Sequence, residues 1–155
     1  MVLVLFYHLT RSPVEATAAG LLSRALDLGW RVMLRGTDPA RLALLDERLW
    51  LGPEEGFLPH GLQGGPQDAD QPVLLGTGAI GNAAHALMLV DGAEPLTGEA
   101  EALERVWVLF DGNDPAALET ARAQWKTLTA QGLHAKYWSE DSGSWQMKTE
   151  RNPPD

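Results

Sequence analysis

The stretch VLVLFYHLTRSPVE, residues 2–15, decides the fold that this sequence predicts. Val2 to Tyr7 form a continuous apolar run of strand length, which is typical of a strand buried on both faces. Ser12, Pro13 and Glu15 have the spacing of a capping box, with Ser12 as the N-cap and Pro13 at the first helical position. The stretch therefore predicts a buried strand that leads directly into a helix.

The same order of elements continues along the chain. The first helix is expected to run to about Leu28 and to end at Gly29, before a strand over Trp30 to Leu34. Asp38 and Pro39 repeat the cap-and-proline signal and open a second helix. Later apolar runs predict four strands, at Pro72 to Leu75, Ala86 to Val90, Arg105 to Phe110 and His134 to Trp138.

Alternating helices and two-sided apolar strands predict a three-layer α/β/α domain with a mainly parallel sheet. The region from Pro72 to Phe110 has strands without convincing helices between them, so an antiparallel pair is expected there. Residues 50–71 are rich in Gly, Pro and acidic residues, which favours a long loop that is flexible from Gly61 to Gln71. We expect one domain over residues 1–138 and a partly frayed extension over residues 139–155.

A third helix is predicted over DPAALETARAQWKTLTAQG, residues 114–132. Asp114 is its N-cap and Gly132 its C-terminal stop. Arg122 and Lys126 lie one turn apart beside its apolar stripe, and Trp125 lies on the border between the two. This edge is either a socket for an acidic, hydrophobic ligand or an amphipathic helix that packs Trp125 inward and leaves two ordinary charges in water.

Composition excludes several classes of function. The chain has 155 residues, is 45% hydrophobic and contains no cysteine, as expected for one globular domain without disulfides or thiolate metal sites. It lacks an apolar run long enough to span a membrane, and its first residues do not have the pattern of a secretion signal. The expected location is the cytoplasm. The net charge of −9 argues against direct binding of nucleic acid.

A glycine motif is the strongest signal for a catalytic function. Gly76 to Gly81 match the pattern G-x-G-x-x-G after a strand, but a dinucleotide site needs a helix that starts at this loop. The next strand is expected near Ala86, which leaves too few residues for a parallel crossover, and Asp91 comes too early for the acidic partner. A turn is the better interpretation, and a nucleotide- or dinucleotide-binding α/β enzyme is the alternative.

No other pattern assembles a reaction. The four histidines are far apart in sequence, so we expect no metal site, no cofactor and no catalytic residue. His8, directly after the first strand, is expected to have a structural hydrogen-bonding role. Trp50 and Phe57 lie at the end of the second helix and in the loop behind it. They are either tucked under that loop or offered to a partner.

Several motifs together point to one family. They are FYHL at residues 6–9, LDERLW at 45–50, FLPH at 57–60, PV at 72–73 and ARAQWK at 121–126. In this order and spacing the chain, from Val2 to about Trp138, resembles the chi subunit of bacterial DNA polymerase III holoenzyme. The resemblance implies an α/β domain similar to nucleotide-binding folds but lacking a phosphate loop. It also implies a replisome adaptor rather than an enzyme.

The resemblance implies two kinds of partner. One is single-stranded DNA-binding protein, through its short acidic C-terminal tail that ends in proline and phenylalanine. The family's residues for this tail match Arg122, Trp125 and Lys126, with tryptophan where the family often has tyrosine. The other partner is the psi subunit, which ties the family to the clamp loader. The aromatics that face psi match Trp50 and Phe57, so these imply a psi-like partner or a helicase.

Basic residues are sparser here than the resemblance implies for the tail pocket. Lys136, on the predicted closing strand, is a further candidate. Direct binding of single-stranded DNA through the aromatics is a third hypothesis, which the acidic balance of the chain disfavours.

Overall fold

The structure is a computed structural model that describes residues 2–50 and 59–153; the Trp50 side chain is not described. It contains three helices, α1 (Val14–Asp27), α2 (Pro39–Trp50) and α3 (Pro115–Ala130). The strands are β1 (Leu3–Leu9), β2 (Val32–Arg35), β3 (Gly61–Leu62), β4 (Val73–Gly76), β5 (Ala86–Leu89), β6 (Arg105–Asp111), β7 (His134–Ser139) and β8 (Gln146–Arg151). Within these residues no helix combines the length and the apolarity needed to cross a bilayer.

The described strands form one sheet in the order β3-β4-β2-β5-β6-β1-β7-β8. Every neighbouring pair is parallel except β7 and β8. The mainly parallel α/β architecture is therefore confirmed. The antiparallel pair expected between Pro72 and Phe110 is wrong, because β4 and β5 both pair parallel with β2, and β6 pairs parallel with β5.

Two apolar clusters cover the two faces of the sheet. On one face, Leu5 of β1 and Leu34 of β2 pack with the buried side of α1 and α2; we call this the α1 face. On the other, Phe6 and Met33 pack with Leu128 of α3; we call this the α3 face. Successive residues of one strand thus serve opposite layers, which explains why these strands have no polar face.

β4 and β5 run parallel, contrary to the expectation that so short a link excludes a parallel arrangement. The connection between them contains no helix. β5 has only four residues, and an extended chain covers about 3.3 Å per residue, so residues 77–85 can return along the sheet. Ile80 and Ala84 pack against the α3 face on the way. The connection covers part of the sheet where a helix would otherwise lie.

The helix signals at α2 and α3 are confirmed. The carboxylates of Asp38 and Asp114 accept hydrogen bonds from the N–H groups of Ala40 at 2.9 Å and Ala116 at 3.0 Å. Gly29 and Gly132 follow their helices with φ of 81° and 80°, the left-handed conformation that glycine adopts without strain.

The capping box at α1 is wrong. Pro13, in an extended conformation, is the N-cap residue, and no side chain caps the helix. The Ser12 hydroxyl instead donates to the carboxylate of Glu140 at 2.8 Å. A contact distant in sequence has replaced the local one.

Two further segments differ from expectation. Part of the predicted flexible loop forms β3 and a 3₁₀ turn at Asp68–Asp70, held by the Asp68 carboxylate, which accepts from the N–H groups of Gly64 and Gly65. Residues 139–155, expected to fray, contain β8, which pairs antiparallel with β7. All residues of β8 are exposed, so it lacks the apolar run by which the other strands are recognised.

A buried ion pair at the end of β2 ties down the two connections on either side of β5, neither of which contains an α-helix. Arg35, which is 3% exposed, binds Glu99 through two hydrogen bonds of 2.6 and 2.9 Å. It also donates to the carbonyl oxygen of Gly78 in residues 77–85 and to that of Glu94 in residues 90–104. Burial raises the pKa of Glu99, but the bonds from Arg35 and the Leu96 N–H outweigh it, so the pKa lies below its ordinary value.

Replacement of Arg35 by methionine is expected to destabilise the fold, because it leaves Glu99 without its counter-charge. Loss of one partner from a buried pair costs about 3 kcal/mol or more. Arg41→Met is the matched control, since Arg41 pairs with Asp91 at 2.9 Å but its side chain is 67% exposed. That change should cost at most about 1 kcal/mol. Urea denaturation measures both; equal losses would contradict the role assigned to Arg35.

Candidate functional site

An aromatic cluster lies between α3 and the strands beneath it. The Trp125 ring meets Phe6 of β1 edge-on, with ring centroids 5.3 Å apart, and Tyr137 of β7 at 6.0 Å. Phe6 and Tyr137 stack at 6.2 Å with an interplanar angle of 16°. Edge-to-face pairs each contribute about 1 kcal/mol beyond burial, so Trp125 is held in a fixed orientation.

The helical period places Trp125 at the edge of the core. Ala121, Gln124 and Leu128 are buried under α3, whereas Trp125 and Tyr137 are half-buried and so keep part of their rings in contact with solvent. The Trp125 side chain thus packs on the core and also forms surface, and the socket for an acidic, hydrophobic ligand stays a prediction. The Thr129 hydroxyl donates to the Trp125 carbonyl oxygen at 2.7 Å.

Two cations lie beside these rings. Arg122 and Lys126 are exposed, and at ~100° per residue they continue the same edge of α3 beyond Trp125. Neither forms an ion pair with any residue that the structure describes. Burial raises the pKa of Tyr137, and the charge of Arg122 partly offsets this, which places the guanidinium near the phenol. The arrangement can bind an anionic group next to an apolar ring.

The structure brings together three of the residues predicted from sequence and not the others. Arg122, Trp125 and Lys126 share one edge, which we call the α3 edge. Lys136 does not join it: Ala135 and Tyr137 lie on the α3 face, so the alternation of β7 directs Lys136 to the α1 face. Sequence reasoning missed Tyr137, although its spacing of two from Ala135 would have placed it on the same face once β7 was assigned.

The proposed partner-facing aromatics are only partly described. Trp50 is the last residue of α2, and Phe57 lies outside the described residues. The two motifs that contain them do meet: the buried His60 ring has its Nε2 3.0 Å from the carbonyl oxygen of Asp46 and 3.3 Å from its carboxylate. This contact joins α2 to the second residue after the undescribed segment 51–58.

The glycine motif does not form a phosphate site. No helix begins in the glycine-containing loop between β4 and β5. The Gln63 side chain occupies the space beside Gly76 and Gly78. Gln63 accepts from the Gly78 N–H at 3.1 Å and donates to the Ala79 carbonyl oxygen at 3.2 Å. The glycines are needed for the close approach of this side chain. Across residues 2–50 and 59–153, no group of three metal-ligating side chains converges.

The loop between β1 and α1 is where many α/β folds bind a phosphate, because backbone N–H groups converge at the start of the helix. Here one oxygen of Glu140 accepts from the N–H groups of Thr10 at 3.2 Å, Arg11 at 2.6 Å and Ser12. Glu140 is buried. A carboxylate of the chain itself thus occupies the position that a phosphate would take.

The neighbouring His8 has the structural role expected of it. Its Nδ1 is hydrogen-bonded at 2.7 Å to the hydroxyl of Ser139, the residue that precedes Glu140 in sequence. The first and last parallel segments of the domain are therefore fastened to each other at their carboxyl ends.

Comparison with known proteins identifies relatives of this chain. The model of the family described as "DNA polymerase III chi subunit, HolC" matches residues 1–136. The protein named "DNA polymerase III subunit chi" of Pseudomonas aeruginosa is 34% identical over 116 residues, which cover 74% of this chain and 78% of that protein.

The Glu140 contact predicts a dependence of stability on pH. Burial raises the pKa of Glu140, but the hydrogen bonds from Ser12, Arg11 and Thr10 outweigh it, so the pKa lies below its ordinary value of 4.5. A carboxyl with a lowered pKa in the fold stabilises it above the unfolded pKa, and this stabilisation is lost as the pH falls through the folded pKa. Glu140→Gln should therefore lose stability at pH 7 and show a shallower decline from pH 5 towards pH 3. Thermal unfolding across this range measures it, and parallel pH profiles for both proteins would refute the assignment.

Proposed function

The chain belongs to the DNA polymerase III chi subunit family, an accessory and not a catalytic subunit, and we propose that it is a replisome adaptor. In this proposal it binds the acidic C-terminal tail of single-stranded DNA-binding protein and links that protein to the clamp loader through psi. It acts in the cytoplasm and makes no direct contact with nucleic acid, because a net charge of −9 opposes phosphate binding. Because this family is not catalytic, its membership argues against the alternative hypothesis of a nucleotide-binding enzyme.

The observation that carries the proposal is the α3 edge. Trp125 and Tyr137 offer half-buried rings, and Arg122 and Lys126 stand beside them without counter-charges among the described residues. A tail that ends in phenylalanine with a free carboxylate carries both complementary features within one residue. The surface and the ligand are complementary in chemistry.

Each side chain has a distinct task in this complex. The terminal phenylalanine ring packs against Trp125, whose orientation is fixed by Phe6 and Tyr137. Arg122 presents a planar fork suited to a carboxylate, and Lys126 presents a mobile point charge for the acidic side chains that precede it. A segment of a few residues bound in this way should have micromolar affinity, about −8 kcal/mol.

The psi subunit or a psi-like partner is assigned to the end of α2. Trp50 and Phe57 match the family's aromatics, and the contact between Asp46 and His60 fastens the chain on both sides of the loop that carries Phe57. A helicase is the alternative occupant of this surface. The α2 end and the α3 edge are separate in the fold, so one molecule can engage two partners at once.

Reversal of charge at the α3 edge is expected to abolish tail binding. Fluorescence anisotropy with a labelled acidic peptide ending in Pro-Phe should saturate with the unmodified protein. Lys126→Glu and Arg122→Glu should each weaken it by at least about tenfold, since charge-assisted hydrogen bonds contribute about 1.5–3 kcal/mol. Both residues are exposed, so the fold should survive either change.

The matched control is Lys136→Glu, which makes the same charge change on the opposite face of the sheet. It should leave the affinity within about twofold, because screening weakens charges more than about 10 Å away. A peptide with an amidated C-terminus should bind less well than the free acid. Unchanged binding by Lys126→Glu and Arg122→Glu would refute the α3 edge as the tail site.

Loss of the aromatics at the α2 end is expected to weaken psi binding alone. Truncation of a central interface aromatic commonly costs 2 kcal/mol or more, about a thirtyfold loss. Phe57→Ala and Trp50→Ala should therefore reduce co-purification with psi while the tail peptide still binds. Lys126→Glu should show the reverse pattern. Retention of psi by both aromatic variants would contradict this assignment.

A further inference from the structure

A second groove lies on the α1 face, between α1 and the hairpin of β7 and β8. Its cavity volume is about 380 Å³, and its walls include Tyr7, Gly20, Leu21, Arg24, Trp138 and Trp145. We call it the Trp145 groove. It shares none of these residues with the α3 edge.

The hairpin holds Trp145 in place although the ring is 39% exposed. Trp145 meets Tyr7 edge-on, with ring centroids 5.4 Å apart and an interplanar angle of 85°. The start of the hairpin is fastened by Glu140, which accepts three backbone N–H bonds from the β1–α1 loop. Met147, which pairs with Trp138, is a further exposed apolar side chain, at 45%. These groups form an apolar surface that the described residues leave uncovered.

The floor of the groove is open because of Gly20. This residue lies inside α1, and a Cβ added there would meet no atom within 4 Å. Glycine in a helix interior costs about 1 kcal/mol relative to alanine. Neither crowding nor a left-handed backbone conformation requires glycine here, so its effect on the structure is to leave room beside the rings.

One arginine lines the groove, and a second lies at the turn of the β7–β8 hairpin. The first is Arg24, and the Arg11 guanidinium lies near Gly143 of the hairpin, 3.7 Å from where a Cβ would stand. Neither arginine has a carboxylate partner in the described part of the chain. The acidic neighbour Asp141 is already paired with Lys148 at 3.4 Å. Burial raises the pKa of Tyr7, and the charges of Arg105 and Arg24 partly offset this, which places Arg24 near the phenol.

We propose that the Trp145 groove is a second docking surface, which binds an acidic protein segment carrying a large apolar side chain. The rings of Tyr7, Trp138 and Trp145 receive that side chain, and Arg24 and Arg11 receive flanking carboxylates. The groove combines exposed aromatic rings with an arginine that has no carboxylate partner among the described residues, Arg24, and a second such arginine, Arg11, lies at the hairpin turn. The proposal stands on its own contacts and does not depend on tail binding at α3.

Nuclear magnetic resonance of the full ¹⁵N-labelled chain tests this directly. The chain has six tryptophans, whose indole N–H signals can be assigned with single Trp→Phe variants. The probe is a peptide of aspartate and glutamate around one central phenylalanine, acetylated and amidated so that it lacks a free terminal carboxylate. The signals of Trp138 and Trp145 should shift and saturate, with a dissociation constant between about 10 μM and 1 mM.

Gly20→Leu provides the decisive variant, because it adds a bulky side chain to the lining of the groove at a position where a Cβ would meet no atom within 4 Å. It should weaken the peptide at least tenfold and, as leucine is a better helix former, should not lower the melting temperature. Gly20→Ala is the matched control: it gains the same helical preference, fills little of the groove and should bind almost as the unmodified protein does. Arg24→Glu should also weaken the peptide at least tenfold, whereas Lys126→Glu should not.

Three results would overturn the proposal. The first is a shift confined to Trp125, which would assign the peptide to the α3 edge. The second is unchanged binding by Gly20→Leu or an equal loss in Gly20→Ala, since occlusion would not then be the cause. The third is equal binding of a peptide with lysine in place of every acidic residue, which would show that the cations contribute no specificity.

Discussion

The register between β1 and β7 is the constraint on which both surfaces of this protein depend. The parallel pairing sets Phe6 beside Tyr137 and Tyr7 beside Trp138. Because side chains alternate along a strand, the first pair lies under α3 and the second under α1. A slip of β7 by one residue would move Tyr137 to the α1 face and Trp138 to the α3 face, so the buried clusters on both sides oppose it. One ladder of hydrogen bonds thus positions the wall of the α3 edge and the wall of the Trp145 groove.

At the same end of the sheet, the N–H groups of the β1–α1 loop are not free to bind a phosphate. In open α/β sheets, ligands bind outside the carboxyl ends of the strands, where loops and helix N-termini converge. In this chain Glu140 follows β7 directly and takes the N–H groups of the β1–α1 loop. A carboxylate that is covalently part of the chain competes with free phosphate at a high effective concentration. The carboxyl end of the sheet is thus a fastening point for the β7–β8 hairpin, and the proposed binding surfaces lie at the edges of the helices.

Signals carried by a few neighbouring residues were readable from sequence, and those that depend on distant partners were not. The apolar run of β1, the caps at Asp38 and Asp114 and the edge position of Trp125 follow from spacing alone. Ser12 has every local feature of a cap, yet its hydroxyl bonds to Glu140, because that distant carboxylate also satisfies the adjacent N–H groups. β8 is wholly exposed and has no apolar pattern. In the candidate site, the grouping of Arg122, Trp125 and Lys126 on α3 was predictable from the helical period. The positions of Tyr137 and Lys136 on opposite faces were not, because they depend on which residues of β7 face α3.

The pairing of charges indicates which surfaces are available to partners. The chain has 12 Lys and Arg against 21 Asp and Glu, so acidic groups outnumber the basic ones and could pair with them freely. Arg35, Arg41, Arg48 and Lys148 do have acidic partners. Arg122 and Lys126 on the α3 edge, and Arg24 in the Trp145 groove, have none among the residues described, and they lie beside partly exposed aromatic rings. An exposed ion pair would contribute little to stability, so nothing in the fold compels these cations to be paired. In the proposed complexes they would exchange hydration water for an incoming carboxylate without first breaking an ion pair, and the rings beside them would favour a segment that is apolar as well as acidic.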